Sequence, residues 1–155
     1  MPEASDHAQR VDAWLGATTP GASPDELRDL LERALNALWR RTKVTLGEVT
    51  LIAIVDRVLY NAGEKYPFFS SISVEPSFGF RCEGLRERTD VQGSALIAGS
   101  RFVLVELLTV LGNLTADILT PELHDELARV HRADPGGTSA ATGDAAVIEP
   151  ESAES

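Results

Sequence analysis

Apolar side chains recur at helical spacing from residue 24 onward. Ser23, Pro24 and Glu26 form a capping-box pattern, in which the cap hydroxyl and a carboxylate each bind a backbone N–H of the first turn. The apolar positions that follow are 27, 30, 31, 34, 35, 38 and 39, the spacing of one buried face. The pattern predicts a helix from 24 to about 41.

A second capping box, from Thr45 to Glu48, predicts a helix over residues 46–62 that is apolar on most of its circumference. Val44 and Val49 are placed to touch as a hydrophobic staple, and Gly63 is expected to end the helix. Such broad apolarity indicates burial on more than one side.

Apolar and polar residues then alternate, which predicts a β-hairpin over about 70–83. Its apolar face would comprise Ile72, Val74, Phe78, Phe80 and Cys82. Because an isolated hairpin is only marginally stable, this face should lie on helices.

The longest helix is predicted over about 91–119, and Thr120 and Pro121 predict the start of a last helix over about 121–131. The fold class is therefore α+β and mostly helical, in the order helix, helix, β-hairpin, long helix, helix. We expect one globular domain over residues 23–132.

The two flanking segments have a different composition. Residues 1–22 are expected to be flexible, although Val11, Trp14 and Leu15 share helical spacing and could dock on the core or bind something else. Residues 133–155 contain five acids and no base, with Val147 and Ile148 as the only larger apolar side chains. This composition predicts a disordered acidic tail, either a recognition motif or a solubiliser.

Charge argues against nucleic acid as a partner. The chain has 24 acidic and 14 basic residues, a net charge of −10, and its densest basic cluster is Arg40, Arg41 and Lys43. We interpret that cluster as the solvated end of a helix, where cations complement the helix dipole.

The long helix carries the predicted dimer interface. Its apolar side bears Ile97, Leu104, Leu108 and Leu111, with Arg101 among them. Two long apolar helices exceed what one short chain is expected to cover, which favours a helical-bundle homodimer. Since an isolated buried charge is costly, we expect Arg101 to pair with Asp56, within a chain or across the dimer, or to reach solvent past its neighbours.

Residues 122–127, Glu-Leu-His-Asp-Glu-Leu, resemble the phosphoacceptor box of one class of bacterial histidine kinases. The resemblance implies an exposed imidazole on His124 that accepts a phosphoryl group. It covers six residues only, and the Asn and Gly boxes that bind ATP in that family do not follow.

The remaining candidate chemistry is sparse. Tyr66, Phe68 and Phe69 form an aromatic cluster that is either a core plug or the lip of a small apolar ligand pocket. Cys82 alternates with phenylalanines and is expected to be an inert core thiol. No metal-ligand spacing or phosphate loop is present, so we expect no metal, no cofactor and no enzymatic activity.

These observations predict a non-catalytic regulatory or protein-interaction module that acts as a homodimer and binds another protein on the hairpin or tail. Arginine strongly outnumbers lysine, which hints at a bacterial genome, and the N-terminal residues lack a signal-peptide pattern, which favours the cytoplasm. Charges within 95–119 argue against a membrane span. The alternatives are a sensory or phosphorelay component and, third, a DNA-binding regulator.

Overall fold

The described residues form six α-helices, one 3-10 helix and one two-stranded sheet, so the chain is mostly helical with a small β component. A computed structural model describes residues 2–76, 78–88 and 90–131, with side chains from residue 6 onward. The elements are α1 (Pro2–Thr18), α2 (Pro24–Leu46), α3 (Glu48–Lys65), the 3-10 helix (Pro67–Ser71), β1 (Ser73–Glu75), β2 (Gly79–Arg81), α4 (Glu83–Arg86), α5 (Gly93–Leu114) and α6 (Thr120–Ala128).

The start of α2 confirms the capping box. The backbone N–H of Glu26 donates to the Ser23 hydroxyl at 3.1 Å, and the Ser23 N–H donates to the Glu26 carboxylate at 2.8 Å. The helix continues five residues beyond the predicted end and stops at Gly47, whose φ of +83° suits glycine.

The prediction of a second capping box, from Thr45 to Glu48, is wrong. Because α2 continues through Thr45, no new helix begins there, and α3 starts at Glu48 without a side-chain cap. Val44 and Val49 are 83% and 86% exposed, so they form no staple. Gly63 lies inside α3, which ends two residues later at Lys65.

The N-terminal segment differs from the flexible segment that we expected. Residues 2–18 form α1, which packs along α5. Val11, Trp14 and Leu15 are buried, so this segment docks on the core, which was one of the two predicted alternatives. The Trp14 indole N–H also donates to the Val130 carbonyl at 2.9 Å, which ties α1 to the chain beyond α6.

Helix α5 is the central helix, and it is shorter than predicted. It ends at Leu114 because Ala116 and Asp117 adopt φ values of +52° and +61°, which an α-helix cannot continue. Helices α1, α2 and α3 all pack against it.

The predicted dimer interface is buried inside one chain. Leu104, Leu108 and Leu111 are 0% exposed, because the surrounding helices cover them. Ile97 is half-buried and Arg101 is exposed. The structure therefore contradicts the assignment of the three leucines to a dimer interface.

The β-hairpin is confirmed, with strands of three residues each. The strands are antiparallel, and Val74 pairs with Phe80. Ile72, Phe80 and Cys82 are buried and Val74 is half-buried, as predicted. Phe78 is 69% exposed, contrary to the prediction, because it precedes the strand and Gly79 at φ +85° breaks the alternation.

Candidate functional site

A groove lies between the C-terminal part of α2 and the tip of the hairpin. Its volume is about 570 Å³, and we call it the hairpin groove. It is lined by Asn36, Trp39, Arg40, Lys43, Val44 and Phe78.

Asn36 fixes the hairpin against α2. Its side-chain amide donates to the Phe80 carbonyl at 3.3 Å, and its carbonyl oxygen accepts the Phe80 N–H at 2.8 Å. The backbone at Gly79 passes so close to α2 that a Cβ there would lie 2.6 Å from the Asn36 oxygen and 2.9 Å from Trp39 Cδ1. These two hydrogen bonds and the close approach of Gly79 fix the hairpin tip against Trp39.

The groove exposes large apolar side chains on both walls. Val44 on α2 and Phe78 at the hairpin tip are mostly exposed, and Trp39 between them is only 3% exposed. The Arg81 guanidinium lies 5.5 Å from the centre of the Phe78 ring, in the range of a cation–π contact. Exposed apolar patches and aromatic side chains are common features of protein-binding surfaces.

Within the described residues, one cation of the groove has no acidic partner. Lys43 pairs with Glu48 at 3.0 Å, and Arg81 pairs with Glu75 at 3.3 Å and with Glu83 at 2.7 Å. Hydrogen bonding to Arg81 holds the pKa of Glu83 below its ordinary value. Among the residues that the structure describes, Arg40 is exposed and makes no ion pair. An apolar groove with an exposed cation favours an apolar ligand that carries acidic groups.

The sequence predicts that Arg40, Arg41 and Lys43 lie at a helix end, and Lys43 is in the last turn of α2, with Arg40 and Arg41 one turn earlier. Arg41 forms a salt bridge with Glu122 of α6. Sequence analysis missed the groove because it depends on the position of the hairpin over Trp39. The signal was an unusual series of bulky apolar and basic residues on one helix, Trp39, Arg40, Lys43 and Val44.

A buried imidazole pair joins α1 to α6. His7 Nδ1 lies 2.9 Å from His124 Nε2, and the two side chains are 1% and 6% exposed. The Asp6 carboxylate lies 3.8 Å from His124 Nδ1. Burial lowers the pKa of His124 and the neighbouring His7 lowers it further, while Asp6 opposes the shift.

This environment contradicts the expectation of an exposed phosphoacceptor at His124. The ring lies between two helices, and one nitrogen faces a second imidazole. His124 borders a cleft of about 240 Å³ between α1 and α6, but only 6% of the residue is exposed there.

The aromatic cluster is part of the core. The Phe68 and Phe69 rings stack with centroids 4.6 Å apart, and Tyr66 contacts both. A Cβ at Gly99 would lie 2.6 Å from Phe68, so α5 presses directly on the rings. The cluster therefore fills space, although Phe69 also borders an open cleft of about 580 Å³ against α3.

The predicted pair between Asp56 and Arg101 is not formed in the chain. Arg101 donates to the Asp12 carboxylate of α1 at 2.7 and 3.2 Å. This bond lowers the pKa of Asp12. Asp56 is exposed on α3. The sequence could not indicate Asp12 as the partner because α1 was expected to be flexible.

The described side chains contain no group of three or more His, Cys, Asp or Glu residues that could hold a metal ion. Cys82 is 0% exposed, and burial raises the pKa of its thiol to about 12. That thiol is therefore protonated at neutral pH and shielded from reagents.

No protein-family model matches the chain, and no curated protein or solved structure matches it either. Helix α5 is long and apolar enough to cross a membrane by length and composition, which is weak evidence because the core helix of a soluble protein has the same properties. In this structure α5 has nine buried residues.

Proposed function

We propose that this protein is a non-catalytic interaction module whose hairpin groove binds an acidic, apolar peptide segment of a partner protein. One observation carries the proposal: Phe78 and Val44 project into solvent beside Arg40, which has no ion-pair partner among the described residues.

The chemistry of the groove sets the expected ligand. An aliphatic or aromatic side chain of the partner would insert between Phe78 and Val44, over the edge of Trp39. A carboxylate would pair with Arg40. Buried aromatic and arginine contacts dominate the energy of many protein interfaces, whereas charges at the rim mostly raise the association rate.

Self-association is part of the same proposal. The apolar surface of α5 no longer requires a second copy, because α1 covers it. A homodimer would instead use exposed apolar side chains such as Val49 and Ile118, which are 86% and 76% exposed. Sedimentation at micromolar concentration measures whether the chain self-associates. A monomeric result would refute the homodimer but would leave the proposal for the hairpin groove unaffected. A regulatory role in the bacterial cytoplasm likewise stays a proposal from sequence.

The experiment is selection of a random peptide library on the immobilised full chain. We expect enrichment of sequences that place Asp or Glu beside Ile, Leu, Val or Phe, and binding that weakens with added salt. Phe78→Ser and Arg40→Glu should each reduce the affinity by about tenfold or more.

Two matched variants serve as controls. Tyr60 is 67% exposed, close to the 69% of Phe78, and Arg57 is an exposed arginine of α3. Tyr60→Ser and Arg57→Glu should leave peptide binding unchanged. Failure to enrich such peptides, or equal binding by the Phe78→Ser and Tyr60→Ser chains, would refute the proposal.

A further inference from the structure

The C-terminal acidic segment has the chemistry that the hairpin groove selects. Beyond His131 the sequence has one pair of large apolar residues, Val147 and Ile148, with Asp144 before it and Glu149 and Glu151 after it. Residues 133–155 contain no base. This segment is therefore an acidic peptide with a single aliphatic anchor.

A second groove reaches the end of the described chain and borders the hairpin groove. It lies between α2 and α6, has a volume of about 510 Å³, and is lined in part by Val130 and His131. Asn36 and Arg40 line both grooves. The end of the described chain is therefore separated from the hairpin groove only by residues that the two grooves share.

The length of the segment is sufficient for that path. Val147 follows His131 by 16 residues. An extended chain of that length spans up to about 55 Å, which exceeds the diameter of a small domain. Slack chain therefore remains when Val147 and Ile148 lie in the hairpin groove.

One cation on this path, Arg40, complements the acids of the segment. Arg40 sits where the two grooves meet and has no ion-pair partner within the described part of the chain. The α2–α6 groove also contains the carboxylates of Asp29, Glu32 and Glu126, which disfavour an acidic chain along its walls. The favourable contacts are consequently concentrated at Arg40 and in the hairpin groove.

We propose that the protein's own segment around Val147 and Ile148 occupies the hairpin groove and competes with partner peptides. This inference rests on the proposed function, since it assigns a regulator to the same groove. With an effective concentration on the order of 1 mM and a dissociation constant of about 0.1 mM, the tethered segment raises the apparent dissociation constant of a partner about tenfold.

The first test uses a nitroxide label on the full chain at Ala153→Cys. The label reacts selectively, because Cys82 is buried and its thiol pKa is raised to about 12. We expect the label to broaden the backbone amide signals of Val44 and Phe78, and Val147→Asp with Ile148→Asp to abolish the broadening. Ala140→Asp with Ala141→Asp adds the same two charges away from the aliphatic anchor and should preserve it.

The second test measures the affinity of a library-selected peptide. The chain with Val147→Asp and Ile148→Asp should bind it about tenfold more tightly than the unaltered chain. Unchanged affinity and no broadening in the groove would overturn this inference, while the Phe78→Ser comparison would still decide the proposed function. Broadening seen only between a labelled chain and a separate isotope-labelled chain would also overturn it, because the segment would then bind a second copy.

Discussion

The buried pair of His7 and His124 should make the stability of this fold depend on pH below about 6.5, the ordinary pKa of histidine. His124 is only 6% exposed, and its pKa is lowered first by burial and then by His7, which lies 2.9 Å away. Asp6 and Asp125 oppose the shift and Arg10 adds to it. The lowered pKa means that the folded chain binds this proton less readily than the unfolded chain does.

The sign and the size of the effect follow from proton linkage. As the pH falls through about 6.5, His124 is protonated in the unfolded chain but stays neutral in the folded chain. The free energy of unfolding therefore decreases. One proton limits the slope to about 1.4 kcal/mol per pH unit. The loss ends where the folded chain also binds the proton, at the lowered pKa of His124.

Urea unfolding between about pH 8 and pH 5.5 measures this slope. His124→Gln keeps a polar side chain beside His7 but cannot titrate. We expect the unaltered chain to lose about 1 kcal/mol relative to His124→Gln over this range. His131→Gln removes an exposed imidazole and should follow the unaltered chain.

The comparison between variants cancels the carboxylates, which are common to all three chains. Parallel curves for the unaltered chain and His124→Gln would refute the reasoning. They would show that protonation of His124 does not distinguish the folded from the unfolded state.

Three further measurements test other features of the fold. Gly99→Ala should destabilise the protein by about 1–3 kcal/mol in thermal unfolding, because the added Cβ would lie 2.6 Å from Phe68; an unchanged melting temperature would contradict the close approach. Cys82 should react with a disulfide reagent only as fast as the chain unfolds, since the thiol is buried with a pKa of about 12; rapid reaction in native buffer would show an accessible thiol. Asp12→Asn should lower the free energy of unfolding by less than about 1 kcal/mol, as expected for an exposed ion pair, and Asp56→Asn should leave it unchanged. A larger loss for Asp56→Asn than for Asp12→Asn would instead support the predicted pair of Asp56 and Arg101.

The sequence predicts α2 and the hairpin because both depend on residues that are close together along the chain. The capping box at Ser23 and Glu26 and the apolar face that follows it are encoded within a few turns, so α2 was found from sequence. The hairpin was found by its alternation. Phe78 was misplaced because the conformation of Gly79, which alternation alone does not reveal, moves the preceding side chain out of the sheet.

Contacts between distant segments could not be predicted in this way. Helix α1 is held by Val11 and Trp14 against helices nearly a hundred residues later, and nothing in its own sequence identifies that surface. If α1 is flexible, the apolar side of α5 has too little cover within one chain, which is why the sequence alone favours a homodimer. The hairpin groove was missed for the same reason, because it exists only where Asn36 fixes the hairpin over Trp39.

The contact of α1 with the C-terminal half of the chain has a consequence during synthesis. Asp12 and Arg101 are separated by 89 positions, and His7 and His124 by 117. At about 5–20 residues per second, the N-terminal helix leaves the ribosome roughly 6–23 seconds before its last partner is made. Val11 and Trp14 lack the cover of α5 for most of that interval and the contact with the chain beyond α6 for all of it, so an apolar helix face stays exposed until translation is nearly finished.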